Sequence, residues 1–311
     1  MGMFTSSMLM NKLFDFLNTF LTHLLPPESK LKDVLASLYY YYKNPLYDLA
    51  NSNIIKSLQM LPDGTLLCEL NDDSKFISPP DKVISRGIKY GKASKLGRIK
   101  DFPYFGSFFF MLNEVYALKI YEKFYKLKEG DVVVDAGANI GLFTIKAGRI
   151  VGDKGKVIAI EPDPNILGFL KRNIELNSLR NVIVVSKGVY SHKGKLRFNV
   201  AAEITEGSLY EGILPRMYRS TGFVEVEVDT LDNILKELEI SKVNFVKMDI
   251  EGAEIEALKG MDGVLKGRAE LAIAAYHIVN GEQTFKTIIP WLKKRGFATR
   301  EIEGIVYSVK I

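Results

Sequence analysis

Asp131-Val-Val-Val-Asp135-Ala-Gly137-Ala-Asn139-Ile-Gly141-Leu-Phe-Thr144 decides the fold. Its three valines read as a short buried strand, because continuous β-branched runs suit a parallel sheet covered on both faces. The run breaks into a glycine-spaced turn, and Leu142 to Ile150 resumes at helical spacing. Strand, glycine turn and helix together present backbone N–H groups at the carboxyl edge of an open sheet. Gly137 and Gly141 suit a tight turn with a ligand close by, since neither carries a Cβ.

The spacing is D-x-G-x-N-x-G and lacks the third glycine that a pyrophosphate clamp needs. An Asp before the loop and an Asn within it suit a ligand that carries hydroxyls and amines. The next strand, Lys156-Val-Ile-Ala-Ile160, ends in Glu161-Pro162-Asp163. An acid about 20 residues beyond the glycine loop is placed to accept hydrogen bonds from ribose hydroxyls. S-adenosylmethionine meets these demands with a ribose, an amino-acid tail and a sulfonium, and no phosphate.

Together with Val228-Asp-Thr-Leu-Asp232 and Lys247-Met-Asp249-Ile-Glu251-Gly252-Ala-Glu254, these segments resemble the FkbM-type methyltransferases over roughly residues 125 to 297. Each motif alone is weak, and the K-x-D-x-E-G-x-E string following D-x-G-A-N-x-G is the specific part. The resemblance implies an α/β class I methyltransferase fold, Rossmann-like, with a mostly parallel seven-stranded sheet and a C-terminal antiparallel hairpin. It also implies S-adenosyl-L-methionine as cofactor and, for most members, a hydroxyl of a sugar or polyketide as acceptor. Carried onto this chain, the expected cofactor contacts are Asp135, Gly137, Ala138, Asn139, Gly141 and Thr144 in the loop, then Glu161 and Pro162 at the ribose. Ser186, Lys187 and Gly188 end the third strand and should border the adenine, although the acid that many class I enzymes place there is missing.

Asp249 is the first candidate for catalysis, as the orienter or base of an acceptor hydroxyl or as a partner of the cofactor's ammonium. Glu251 is the second, with a helix-capping role as its alternative. His277 ends the fifth strand and is a candidate general base, with an unperturbed pKa of about 6.5. No metal is expected, because the fifth strand offers Tyr276-His277 where magnesium-dependent O-methyltransferases have an Asp-Asn pair.

A chain of 311 residues holds one large domain and a smaller one. The expected division is 1–106, an N-terminal helical and hairpin region, and 107–311, the methyltransferase domain. One cysteine, Cys68, excludes an internal disulfide framework and points to the cytoplasm. The net charge of +5 is too mild to demand a nucleic-acid partner. No apolar run reaches the ~20 residues of a bilayer span. Lys12 and Asp15 interrupt the N-terminal apolar stretch, so no signal peptide is expected.

Leu9, Leu13, Phe16, Leu17, Phe20, Leu21 and Leu24 place a helix over residues 3–25. It packs on the domain or on a second copy in a homodimer; a peripheral membrane contact is the weaker alternative. A second helix is expected over residues 29–42, ending in Tyr39 to Tyr42. Residues 65–70 and 75–78 read as a hairpin. Seven basic residues and no acid occupy 82–100, a solvated surface or a rim for an acidic acceptor. A helix from Asn113 to Tyr125 leads into the first strand of the sheet. The polar insertion 203–222 should shape the second substrate's pocket. The leading expectation is O-methylation of a sugar, glycolipid or other hydroxylated small molecule. The rivals are an RNA methyltransferase and a non-catalytic cofactor-binding protein.

Overall fold

The computed structural model describes Leu49 and residues 52–82, 104–201, 207–209, 220–280 and 282–311. The helices expected over 3–25 and 29–42, residues 83–100 of the basic stretch and most of the 203–222 insertion lie outside the described residues.

A three-stranded antiparallel sheet comes first, with β1 (Ile55–Met60), β2 (Leu66–Leu70) and β3 (Lys75–Ser78) in that order. β2 and β3 are the expected hairpin. β1 adds an edge strand whose residues are exposed except for half-buried Ile55 and Leu58, so it shows no clear alternation. A helix, α1 (Gly106–Leu112), then widens into a π-helical turn over Asn113–Leu118. Lys119, at φ 51°, breaks it, and a 3-10 turn spans Ile120–Glu122. This corrects the single helix expected from Asn113 to Tyr125. The helix starts earlier because Phe108, Phe109 and Leu112 all bury completely, and a left-handed residue cannot continue it.

From here the chain alternates: β4 (Val132–Ala136), α2 (Leu142–Val151), β5 (Lys156–Ile160), α3 (Pro164–Leu176) and β6 (Val182–Val185). A small side sheet follows, of β7 (Gly188–Val189), β8 (Gly194–Ala201) and β9 (Ser220–Asp229). Next come α4 (Leu231–Glu237), β10 (Phe245–Met248), α5 (Glu254–Lys259), α6 (Asp262–Lys266) and β11 (Glu270–Ala274). A short ribbon, β12 (Ile278–Val279) with β13 (Glu282–Gln283), precedes α7 (Phe285–Lys293) and the closing hairpin β14 (Phe297–Ile302) and β15 (Ile305–Lys310).

The main sheet runs β14-β15-β11-β10-β4-β5-β6. Five strands are parallel, and β15 is antiparallel to both its neighbours. That is the class I methyltransferase sheet. Successive residues alternate between its two faces. Val133, Val157, Phe245 and Ala272 meet α1, α2 and the outer sheet, whereas Val134, Ile158, Val246 and Ile273 meet α4 to α7. The same alternation puts Asp135 and Lys247, paired in register across β4 and β10, on the first face. The chain order reverses at β4, with β5 on one side and β10 on the other, the switch point where open α/β sheets bind ligands.

The outer sheet shares this core, since Leu66, Cys68, Leu70 and Phe76 pack in one cluster with Val133, Phe143 and Phe245. The division expected near residue 106 therefore marks no break in packing among the described residues. Asn173 of α3, fully buried, accepts from Ile77 N (2.6 Å) and donates to the carbonyls of Ile77 (3.0 Å) and Ile140 (2.8 Å). It thereby clamps β3 to the glycine loop. Asn173→Leu strips three buried backbone groups of their partner and is expected to cost about 2–3 kcal/mol. Thermal melts should show Tm falling by roughly 4–12 °C.

Candidate active site

Gly137 sits at φ +78°, and a Cβ there would lie 1.8 Å from the Asp249 carbonyl oxygen. Only glycine lets the loop after β4 touch the tip of β10. Behind the loop, Asp135 is wholly buried. Its Oδ2 accepts from Thr144 Oγ1 (2.6 Å) and its Oδ1 lies 3.0 Å from Lys247 Nζ. Lys247 also donates to the Gly137 carbonyl at 2.6 Å. Burial alone would pull the Lys247 ammonium down, but Asp135 and Asp249 outweigh it and the pKa is raised.

A cleft, partly open to solvent, opens over these tips. Gly137, Ala138, Asn139, Glu161, Pro162, Lys187, Gly188, Asp249 and Glu251 line it, as the sequence leads one to expect. Four expected contacts do not. Asp135 and Thr144 brace the loop from behind, Gly141 backs onto Leu170, and Ser186 is exposed beyond the rim. Ser186 was the nearest polar side chain to the expected adenine; the wall there is Lys187 and Gly188 instead. Lys187 Nζ is held off the cleft by Glu237 (2.9 Å) and Asp229 (3.4 Å).

Glu161 is 6 % exposed. Its oxygens accept from Asn139 N and Asp163 N, each at 2.9 Å, which leaves each one further acceptor capacity. Burial pushes its carboxyl up to about 7, against those two N–H bonds, which pull it down.

On the far side, Asp249 Oδ2 accepts from Tyr121 OH at 2.6 Å. Glu251 and Gly252 both take left-handed backbone (φ 52° and 94°), turning the chain sharply after β10. Glu251 Oε2 lies 3.2 Å from His277 Nε2, and Asp249 Oδ1 lies 3.8 Å from it. His277 Nδ1 is 3.0 Å from Glu254 Oε1, which also accepts from Gly252 N at 2.9 Å. Burial lowers the His277 pKa, but Glu254 and Glu251 overcome that and hold it well above its ordinary value. Carboxylates stand within 3.2 Å of both ring nitrogens, so the imidazole faces acidic side chains on each side. Glu251 is raised, chiefly by burial.

Sequence reading missed Glu114, Tyr121 and Tyr276 on this wall. Glu114 projects from the π-helical turn, and burial, then Asp249 and Glu251, push its carboxyl up to about 8. From the expected insertion, Gly207 and Leu209 reach the cleft, and Ser208 Oγ donates to the Glu251 carbonyl at 2.7 Å. The acids of Val228-Asp-Thr-Leu-Asp232 are structural. Asp229 bonds Thr230 N and Asn233, and Asp232 accepts from Gly263 N and Val264 N at the start of α6.

The methyltransferase FkbM domain matches residues 135–298, more than half of the chain. This chain belongs to the FkbM methyltransferase family. Methyltransferase sdnD of Sordaria araneosa is 30% identical over 179 residues, 49% of this chain and 68% of that protein. Hexuronic acid methyltransferase AglP of Haloferax volcanii is 30% identical over 139 residues, 45% of this chain and 53% of that protein. The crystal structure of methyltransferase FkbM from Methylobacillus flagellatus aligns with a TM-score of 0.42 at 21% identity, covering 60% of this chain and 45% of that one.

As an FkbM methyltransferase, the chain uses S-adenosylmethionine as methyl donor. The cleft fits that cofactor. A buried carboxylate with spare acceptor capacity suits ribose hydroxyls, and the Asp249 carboxylate on the opposite wall suits a sulfonium. Two measurements test this FkbM site by calorimetry with S-adenosylmethionine. Gly137→Ala should abolish binding and lower Tm. Because the carboxylate is the form that accepts from ribose, affinity should rise as Glu161 ionises. With its pKa near 7, binding should tighten about tenfold from pH 6 to pH 8, and Glu161→Gln should flatten that dependence.

Proposed function

We propose that this methyltransferase acts on a hydroxyl oxygen of a sugar or a comparable polar small molecule. The observation that carries the reading is the convergence of Asp249, Glu251 and Glu114 on one wall of the cleft, across from Glu161. Adjacent acidic groups of this kind orient a hydroxyl and take its proton. AglP, one of the relatives, is named for methylating a hexuronic acid. A nucleic acid is disfavoured, since the described residues of this wall are acidic and a phosphate backbone demands a basic track.

When bound, S-adenosylmethionine supplies an electrophilic methyl on its sulfonium. Glu161 and the loop from Gly137 to Asn139 anchor the nucleoside and its amino-acid tail. Asp249, fixed by the Tyr121 hydroxyl, and Glu251 receive the acceptor hydroxyl and accept its proton as its oxygen gains the methyl. His277 and Glu254 position Glu251 rather than meet the acceptor. Leu209 and Phe110 add apolar surface to the cleft wall. Alignment of oxygen and methyl is the main demand on the protein, because the donor arrives already activated.

Mass spectrometry over uronic-acid and neutral-saccharide acceptors should find one added methyl, placed on oxygen by NMR. Glu251→Gln should lower kcat about 10²–10⁴-fold with little change in S-adenosylmethionine affinity. A methyl found on nitrogen or carbon overturns the reading.

A further inference from the structure

We propose that Asp249, Glu251 and His277 form a divalent-cation site at the tips of β10 and β11, opening onto the cleft. One oxygen of each carboxylate and one ring nitrogen lie within 4.8 Å of one another. His277 is 6 % exposed, and neither of its ring nitrogens makes a well-aligned hydrogen bond. Asp249 Oδ1 is likewise buried without a hydrogen-bond partner, while Oδ2 is taken by Tyr121. Nε2 stands 3.2 Å from Glu251 Oε2 and 3.8 Å from Asp249 Oδ1. Ligand atoms about 2.1 Å from one metal, at octahedral to tetrahedral angles, stand about 3.0–3.4 Å apart. The 3.2 Å pair has that spacing and the 3.8 Å pair lies a few tenths of an ångström outside it; all three atoms fit within 4.8 Å, so a bound ion would draw the carboxylates inward.

Charge points the same way. Asp249, Glu251 and Glu254 converge on the His277 ring, and the nearby Lys247 ammonium is shared with Asp135. Carboxylates taken out of water demand a counter-charge. Glu254 supplies the orienting partner that metal-bound histidines have. Held by the N–H of Gly252 at 2.9 Å, it faces Nδ1 and turns Nε2 toward the two carboxylates. One imidazole and two carboxylates with open positions suit a mid-row ion such as Mn²⁺.

The absence of a metal was expected because the fifth strand lacks an Asp-Asn pair. Here an imidazole takes the place of that pair, and left-handed Glu251 brings the second carboxylate round to meet it. Asp249 and Glu251 line the cleft, so the open positions face the acceptor. A hydroxyl bound there would lose its proton more readily, to the Glu251 oxygen that does not hold the ion. That catalytic use rests on the hydroxyl-methylation reading; the cation site itself does not.

The test is titration of the full-length chain, stripped with EDTA, with manganese chloride, following free Mn²⁺ by electron paramagnetic resonance. One ion per chain should bind, with a nitrogen coupling in the spin echo. His277→Ala should remove the coupling and weaken binding at least tenfold. Glu254→Gln should weaken it about 10–100-fold. If His277→Ala melts, Glu251→Gln replaces it, with the same loss of affinity expected and the nitrogen coupling kept. No uptake, or uptake that these variants leave unchanged, overturns the site. Methylation undiminished by EDTA overturns its catalytic use. Mn²⁺ bound on these residues with no saccharide methylated upholds the site and removes the hydroxyl reading.

Discussion

The Lys247 ammonium, buried between Asp135 and the Gly137 carbonyl, is the contact on which the site depends. Strand register sets Lys247 directly beside Asp135, so pairing the central strands also pairs the charges. Burying such a pair has a desolvation cost that only close geometry and further hydrogen bonds offset. Both are met: Asp135 also takes the Thr144 hydroxyl, and Lys247 takes a carbonyl. The glycine loop and the turn after β10 are thereby held at a fixed distance. Everything that lines the cleft is measured from that distance, including the approach of Gly137 to the Asp249 carbonyl.

Much of this was legible in the residues. Three valines and a glycine turn announce a buried parallel strand, and the parallel strands and the closing hairpin fell near their expected bounds. The outer strand β1 was not legible, because a mostly exposed edge strand shows no alternation. α4 was missed although its signal was present: Thr230 accepts from Asn233 N at the cap, with Leu231, Ile234 and Leu235 on one face. The π-helical turn had no local signal. It reflects tertiary demands, since it carries Glu114 to the cleft and buries Val115 and Tyr116.

The site divides in the same way. Asp249 and Glu251 stand in one short string, and Glu161 follows the loop at the expected interval. Tyr121 is 128 positions from Asp249, and no spacing rule predicts their hydrogen bond. Asp229 and Asp232 belong to a string that carries the family resemblance, yet both satisfy backbone N–H groups near the starts of helices. His277 was found by its place at a strand end. Its surroundings are set by Glu254, in the first turn of α5, which no spacing rule ties to a residue beyond the next strand.

The position of β15 has a consequence for the family as a whole. The matched segment begins within β4 and ends at residue 298, early in β14. Yet β15, from residues 305–310, lies between β11 and β14 and pairs with both. The packing of the outer sheet against α3 lies outside the segment as well. The stretch by which kinship is recognised therefore lacks the strand that joins β14 to the parallel part of the sheet. Heredity and cohesion run on different borders in this chain, and a fragment trimmed to the shared stretch would be a torn fold.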